Sequence, residues 1–333
     1  MLVSLRQTLF ICVLVSGTVL ALSSNSWFMA WVGLELNLMS FIPLMTSKKM
    51  ELSCEAALKY FLIQAVGSAL VIFSAPLLIS SEMFYSSILL ALLVKVGAAP
   101  FHFWLPAIVD GLNWVQLIIL MTVQKVAPLF LISIIPNSTF FCRIMMVAAL
   151  LSSLIGSIGG LNQTSLRKIL AFSSINHIGW MLASMTMGES SWLMYFSFYV
   201  MISSSICLLF NHQQLFWLPH LVMNKTSLPY TNLVNSFSLL SLGGLPPFTG
   251  FIPKWIVIES LSSKGMILPL LVLIVSSLIT LYFYLRLSMS YFMLTSVKTK
   301  MNIKLSNDFS SSTPVFISMN MFFLLAPTLF ILI

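Results

Sequence analysis

LLALLVKVGAAPFHFWLP, residues 89–106, is an apolar stretch that carries an ammonium group at Lys95 and helix-breaking residues at Gly97 and Pro100. A lysine at the centre of a membrane-spanning helix costs about 2.5–3.5 kcal/mol on insertion scales. Pro100 also frees backbone carbonyls, which neighbouring helices, hydroxyl groups or water must satisfy. A broken helix beside a charge therefore favours a hydrated cavity enclosed by protein, and the stretch predicts conduction of protons or ions.

The rest of the chain is comparably apolar. Hydrophobic residues make up 59% of its 333 residues and charged residues only 7%. This composition lies outside the range of soluble globular domains, so we expect an all-α, polytopic membrane protein. The formal net charge of +8 comes from scattered basic residues, which form no stripe of the kind that binds nucleic acid.

Apolar runs long enough to cross about 30 Å of hydrocarbon repeat along the chain and predict about eleven transmembrane helices. Between them, only 211–231 and 291–311 are long enough to be substantial loops. An odd number of spans places the two termini on opposite sides of the membrane. The runs lie at roughly 7–23, 26–46, 54–79, 84–109, 114–135, 140–160, 166–187, 191–210, 232–260, 266–290 and 312–333.

The basic residues sort to one side of this arrangement. Only Arg143 and Lys264 fall on the side opposite the amino terminus. The positive-inside rule therefore places the amino terminus in the matrix or cytoplasm. The residues on the amino-terminal side are Arg6, Lys48, Lys49, Arg167, Lys168, Lys225, Arg286, Lys298, Lys300 and Lys304.

Two of the predicted spans are interrupted. The fourth contains the stretch quoted above, and the ninth contains GGLPPFTGFIPK, residues 243–254, which ends in Lys254. The two broken helices are five spans apart in the order of the chain, so they run in opposite directions, as in an inverted repeat of about five helices. We interpret residues 1–333 as one transmembrane domain, with a first repeat at about 7–135, a second at about 140–290 and a C-terminal helix at about 312–333.

Four ionisable side chains lie in the middle of spans, namely Glu35, Lys95, Lys125 and Lys254. The alternatives to a functional role are a side chain that snorkels to the interface and a static structural ion pair. Glu35 is too short to snorkel from its depth. We therefore expect these groups to exchange protons along the membrane plane.

Other polar residues are weaker candidates. His177 lies in mid-span near Ser173, Ser174 and Asn176, and either relays protons or is a hydrogen-bonded structural histidine. His102 follows the first break and belongs to the same hydrated path. Arg167 and Lys168 open their helix as topology anchors. Interfacial roles are expected for Glu51, Glu55, Lys59, Asp110 and Glu259.

The cysteines predict no metal or iron–sulfur site. Cys12, Cys54, Cys142 and Cys207 are far apart and lack CxxC spacing. The four histidines are too sparse for paired haem ligands. We therefore expect that this chain alone holds no cofactor or metal.

Four motifs in order carry a family resemblance: WVGLELN (31–37), KVGAAPFHFWLP (95–106), LNQTSLRKILAFSSINHIGWM (161–181) and GGLPPFTGFIPKW (243–255). Together with about eleven spans, they resemble the antiporter-like membrane subunits of NADH:ubiquinone oxidoreductase, respiratory complex I. The resemblance implies a subunit of a proton-translocating enzyme that couples electron transfer from NADH to ubiquinone.

The resemblance also implies residue roles. Glu35 matches the glutamate that pairs with the lysine of the first broken helix, here Lys95. Lys125 matches the central lysine that links two half-channels. Lys254 matches the lysine that communicates with the next antiporter-like subunit, and His177 lies in the family's serine- and histidine-containing helix as a relay.

By the same resemblance, NADH, FMN, Fe–S clusters and ubiquinone bind in other subunits. The implied partners are core membrane subunits 4, 4L and 6, the lateral helix of subunit 5, accessory subunits, and cardiolipin and other phospholipids. The implied location is the mitochondrial inner membrane, with the amino terminus in the matrix and the carboxyl terminus in the intermembrane space. An independent Mrp-type cation/proton antiporter is the main alternative, and a purely structural membrane scaffold is the third.

Overall fold

The computed structural model describes residues 5–46, 51–76, 84–136, 138–188, 191–223 and 229–293. Within these ranges the chain is helical, and its only β pairing is an isolated bridge between Ser165 and Trp217. The predicted all-α, polytopic fold is therefore confirmed. The helices are α1 Leu5–Ser23, α2 Trp27–Met45, α3 Glu51–Ser74, α4 Phe84–Val96, α5 Trp104–Val109, α6 Trp114–Met121, α7 Val123–Ile134, α8 Thr139–Gly160, α9 Leu166–Met185, α10 Ser191–Gln213, α11 Leu218–Met223, α12 Pro229–Gly243, α13 Phe251–Ser263 and α14 Ile267–Met293.

Each predicted span up to residue 290 corresponds to one helix or to two successive helices. Among the described residues, 7 segments are long and apolar enough to cross a membrane by themselves. The helices α4 and α12 are shorter because each ends at a break. The predicted C-terminal span 312–333 lies outside the described residues.

The predicted loop 211–231 is partly helical. Helix α10 continues to Gln213, and α11 follows it. The Leu166 amide donates to the Phe216 carbonyl at 3.0 Å, and the Leu218 amide donates to the Thr164 carbonyl at 3.0 Å. These two bonds hold the segment against the connection between α8 and α9. The apolar pattern of the sequence does not reveal this contact.

Helix α9 lies in the interior of the bundle. All its residues are buried except the partly buried Arg167, Lys168 and Phe172, and it packs against α8, α10 and α14. It is not among the segments apolar enough to span a membrane alone. A helix surrounded by protein needs no lipid-facing surface, so it can carry the polar residues around His177.

Glycines allow close helix contacts in two helix pairs, α1–α2 and α8–α9. A methyl group on Gly33 of α2 would lie 2.6 Å from the Ala21 nitrogen of α1. A methyl group on Gly179 of α9 would likewise lie 2.7 Å from the Ala149 oxygen of α8. Small residues let helix backbones approach closely. The pair α1–α2 thus packs like the pair α8–α9, and these pairs bring Glu35 and His177 into the bundle.

Candidate functional site

The first broken helix ends in a glycine cap. Gly97 has φ 79°, in the left-handed region that favours glycine, and its amide donates to the Leu93 carbonyl at 3.0 Å. The Trp104 indole donates to the Val94 carbonyl at 3.1 Å, and the Gln64 amide donates to the Lys95 carbonyl at 3.3 Å. Side chains from two other helices therefore satisfy carbonyls that the break exposes.

Lys95 lies in the last turn of α4 and is only 6% exposed. Its side chain packs on α3 at Gly67, where a methyl group would lie 3.0 Å from Lys95 Cγ. A snorkelling lysine keeps its ammonium group at the membrane surface. Lys95 is instead enclosed by protein.

Glu35 is partly buried on α2, and its Oε2 atom has no hydrogen-bond partner within the described ranges. Its charge acts on Lys95, but the two side chains form no salt bridge within 4.0 Å. In the described part of the chain the salt bridges are Lys59–Glu55 and Lys168–Asp110. The expected Glu35–Lys95 pair is therefore separated rather than in direct contact.

The second broken helix has the same cap. Gly244 also has φ 79°, and its amide donates to the Leu240 carbonyl at 3.2 Å. Lys254 lies in the first turn of the next helix, α13, is 5% exposed, and donates from Nζ to the Gly243 carbonyl at 2.8 Å. The ammonium group thus lies against the end of α12.

A third break lies beside Lys125, and the sequence analysis missed it. Thr122 has φ −111° and ψ −81°, outside the helical region, and separates α6 from α7. Pro128 follows inside α7, where it cannot donate a helix hydrogen bond. Lys125 is 2% exposed, and its Nζ atom has no hydrogen-bond partner among the residues that the structure describes. The signal that could have revealed this break was the proline three residues after the lysine.

The ammonium group of Lys125 lies over an aromatic ring of α10. Its Nζ atom is 5.4 Å from the centroid of the Tyr199 ring. The His177 ring lies 5.1 Å from the Tyr199 ring, and His177 Nδ1 is 2.9 Å from the Tyr195 hydroxyl. The charges of both Lys125 and Lys254 act on His177. The structure therefore brings the central lysine, the histidine and the second broken helix into one cluster.

A chain of neutral side chains connects three helices next to Lys125. The Tyr60 hydroxyl donates to Gln124 Oε1 at 3.0 Å, and Gln124 Nε2 donates to Asn37 Oδ1 at 2.9 Å. The charge of Glu35 acts on Tyr60. Neutral polar groups thus connect α2, which carries Glu35, to Gln124 beside Lys125. These residues were not singled out from the sequence, although Gln124 directly precedes Lys125.

The remaining candidates have local partners. His102 is buried in the first break, and its ring contacts the Phe103 ring at a tilt of 33° with the ring centroids 4.2 Å apart. Arg167 donates to the Leu112 carbonyl at 2.5 Å, and Lys168 Nζ lies 2.6 Å from Asp110 Oδ2. The two basic residues thus join the start of α9 to the connection between α5 and α6.

The described residues contain no group of three or more histidine, cysteine or carboxylate side chains that could hold a metal ion.

The chain matches the family model described as NADH:quinone oxidoreductase/Mrp antiporter, TM, over residues 24–83 and 77–280. It is 47% identical over 324 residues to NADH-ubiquinone oxidoreductase chain 2 of Anopheles gambiae, with 94% of each chain covered. Its fold is similar to a chain of respiratory complex I from Thermus thermophilus, with TM-score 0.84, 22% identity, and coverage of 97% of this chain and 79% of that one. It is also similar to a chain of the Mrp complex from Dietzia sp. DQ12-45-1b, with TM-score 0.79, 16% identity, and coverage of 97% and 75%.

Proposed function

The chain belongs to the NADH:quinone oxidoreductase/Mrp antiporter transmembrane family and is a membrane subunit of respiratory complex I, and we propose that its buried ionisable groups carry its part in proton translocation. The enzyme to which it belongs is a proton-translocating NADH:ubiquinone oxidoreductase. Within the complex the sequence motifs resemble in particular the mitochondrially encoded subunit 2, and relatives at 47% and 38% identity bear the corresponding name. The proposed relay consists of Glu35, Lys95, Lys125, His177 and Lys254.

One observation carries this proposal: each of the three buried lysines lies beside a break in its own span. Lys95 precedes Gly97, Lys125 follows Thr122, and Lys254 binds the end of α12. Helix breaks at membrane depth occur where the backbone is enclosed by protein or lines a water-filled cavity. Intramembrane lysines mark proton and ion pathways. The coincidence of breaks and lysines therefore supports a hydrated proton path.

The interaction energy of two neighbouring charges is similar to the work of moving a proton across the membrane. Two unit charges about 6 Å apart interact by roughly 2.8 kcal/mol at an effective dielectric constant of about 20. Moving one proton against 100 mV requires about 2.3 kcal/mol. A change in the charge of Glu35 or Lys95 therefore alters the proton affinity of its neighbour by an amount comparable to the work of translocation.

Lys254 and Lys125 differ in what they contact, because a backbone carbonyl group lies beside Lys254 and an aromatic ring lies beside Lys125. Lys254 has a backbone acceptor, whereas Lys125 has none among the described residues. A buried ammonium group without a hydrogen-bond acceptor is costly unless water reaches it or it releases its proton. This difference suits Lys125 to a central relay position.

The finer assignments are also proposals. NADH, FMN, Fe–S clusters and ubiquinone bind elsewhere in the complex, and subunits 4, 4L and 6, the lateral helix of subunit 5, accessory subunits and cardiolipin contact this chain. The amino terminus lies in the matrix and the carboxyl terminus in the intermembrane space. Exposed apolar side chains along α1 and α3 provide surface for contacts with lipid or with other helices. They include Leu9, Leu58, Leu62 and Phe73.

The experiment is to replace the buried groups in the intact complex and to measure protons taken up per NADH oxidised in sealed vesicles. Glu35→Gln, Lys95→Met and Lys125→Met should assemble and lower coupled proton uptake. Lys59→Met is the matched control, because Lys59 lies on the exposed face of α3 beside Glu55. Normal turnover with an unchanged ratio of protons to electrons in all three variants would show that the chain is a scaffold.

A further inference from the structure

A continuous set of aromatic contacts connects Lys125 to Lys254. Lys125 Nζ lies 5.4 Å from the Tyr199 ring, and Tyr199 lies 5.1 Å from the His177 ring. The Tyr195 ring stacks on the Trp180 ring with centroids 6.4 Å apart and planes 13° apart. Lys254 Nζ lies 5.9 Å from the Trp180 ring. We call Trp180, Tyr195 and Tyr199 together with His177 the aromatic bridge.

The bridge presents ring faces to both ammonium groups. A cation within about 6 Å of a ring centroid is attracted by the negative face of the ring, and the attraction increases when the pair is removed from water. Both lysines meet this distance, and both are buried. Neither forms a salt bridge within 4.0 Å among the described residues. Ring faces therefore take the place that a carboxylate has in an ordinary buried ion pair.

The polar atoms of the bridge differ in what they contact. The Tyr195 hydroxyl lies 2.9 Å from His177 Nδ1, so it orients the imidazole ring. The Tyr199 hydroxyl lies next to the hydroxyl groups of Ser174 and Ser203, and the buried Trp180 indole nitrogen has no hydrogen-bond partner among the described residues. Tyr199 and Trp180 thus contact their lysines through their rings and not through their polar atoms.

We propose that Tyr199 and Trp180 are positioning residues, whose ring faces hold the ammonium groups of Lys125 and Lys254 on the two sides of His177. This inference rests on the proposed proton relay. It adds that the Tyr199 ring positions the charged Lys125, and that the Trp180 ring together with the Gly243 carbonyl positions the charged Lys254. Loss of a ring face lets the ammonium group leave its place next to the bridge, so proton exchange with His177 slows without loss of a titratable group.

The test uses the intact complex in sealed vesicles. Tyr199→Phe keeps the ring face and should preserve the ratio of protons taken up to NADH oxidised. Tyr199→Met fills similar space with a flexible side chain but removes the ring, and should reduce coupled proton uptake about tenfold. Phe196→Leu on the same helix is the matched control, because Phe196 packs in the same core and contacts Tyr199.

A double-mutant cycle distinguishes positioning from packing. In the Lys125→Met background, Tyr199→Met should cause no further loss, since the cation it positions is already gone. An equal loss in both backgrounds, a loss in Tyr199→Phe as large as in Tyr199→Met, or no loss in Tyr199→Met would overturn the inference. If Lys125→Met itself leaves the ratio of protons to NADH unchanged, the proposed relay fails. This outcome is distinct from the outcomes that overturn only the positioning role of Tyr199.

The second lysine provides an independent cycle. Trp180→Phe and Trp180→Met in the wild-type and Lys254→Met backgrounds should repeat the pattern. This cycle decides the question if Tyr199→Met does not assemble. If the Trp180 variants lose the same amount of proton uptake with and without Lys254, the aromatic bridge serves only as packing in the core.

Discussion

Lys254 Nζ donates a hydrogen bond to the Gly243 carbonyl at 2.8 Å, so a lysine in the first turn of α13 binds the end of α12. The last carbonyls of a helix have no intrahelical partner and carry partial negative charge. Lys254 therefore stabilises the break as well as serving the proposed relay. The two roles can be separated by experiment.

Replacement of Lys254 by methionine removes the donor and should destabilise the folded chain by about 1–3 kcal/mol, the cost of an unsatisfied buried acceptor. Lys254→Arg keeps a donor and a charge and should recover most of the stability. The measurement is the free energy of unfolding in detergent, compared with coupled proton uptake. If both variants have wild-type stability, the Gly243 bond does not support the break.

Gly244→Ala should displace Lys254. A methyl group there would lie 2.8 Å from Lys254 Nζ, and φ 79° is unfavourable for alanine by about 1–2 kcal/mol. Gly265→Ala is the matched control, because Gly265 has φ 71° but nothing within 4 Å of an added methyl group. Both variants should lose similar backbone stability, whereas only Gly244→Ala should reduce proton uptake. Equal uptake in the two variants contradicts the contact.

Gly67→Ala should disturb the first half. The added methyl group would lie 3.0 Å from Lys95 Cγ, so the lysine side chain must shift. We expect a loss of about 1–3 kcal/mol in stability from overpacking and a lower ratio of protons to electrons. Gly188→Ala is the control, since an added methyl group meets nothing within 4 Å there. Proton uptake in Gly67→Ala that matches this control would show that Lys95 tolerates displacement.

Gln124→Leu should break the neutral connection beside Lys125. It leaves the Tyr60 hydroxyl and the Asn37 amide oxygen without their partner, which costs about 1–3 kcal/mol for a buried group. The double variant Gln124→Leu with Asn37→Leu removes both partners of one bond and should cost less than the sum of the single changes. Strict additivity in unfolding measurements would argue against this bond.

The sequence was most informative about the first and second broken helices. Gly97 and Gly244 were recognised as break points because glycine next to proline in an apolar run is a local signal that does not depend on the neighbours. The break at Thr122 was missed since no glycine marks it and Pro128 lies farther along. The contact partners of Lys125 were also missed, because Tyr199 lies on α10, far along the chain, and only packing brings its ring to the lysine.

By itself, the sequence determined that the chain is an all-α membrane protein with lysines at two broken helices, because hydropathy, charge cost and glycine geometry act over short stretches of chain. The tertiary structure decided which groups meet. Helix packing separated Glu35 from direct contact with Lys95, and it connected His177 to Lys125 through Tyr199 and to Lys254 through Tyr195 and Trp180. These contacts depend on the relative positions of helices, which no local pattern encodes.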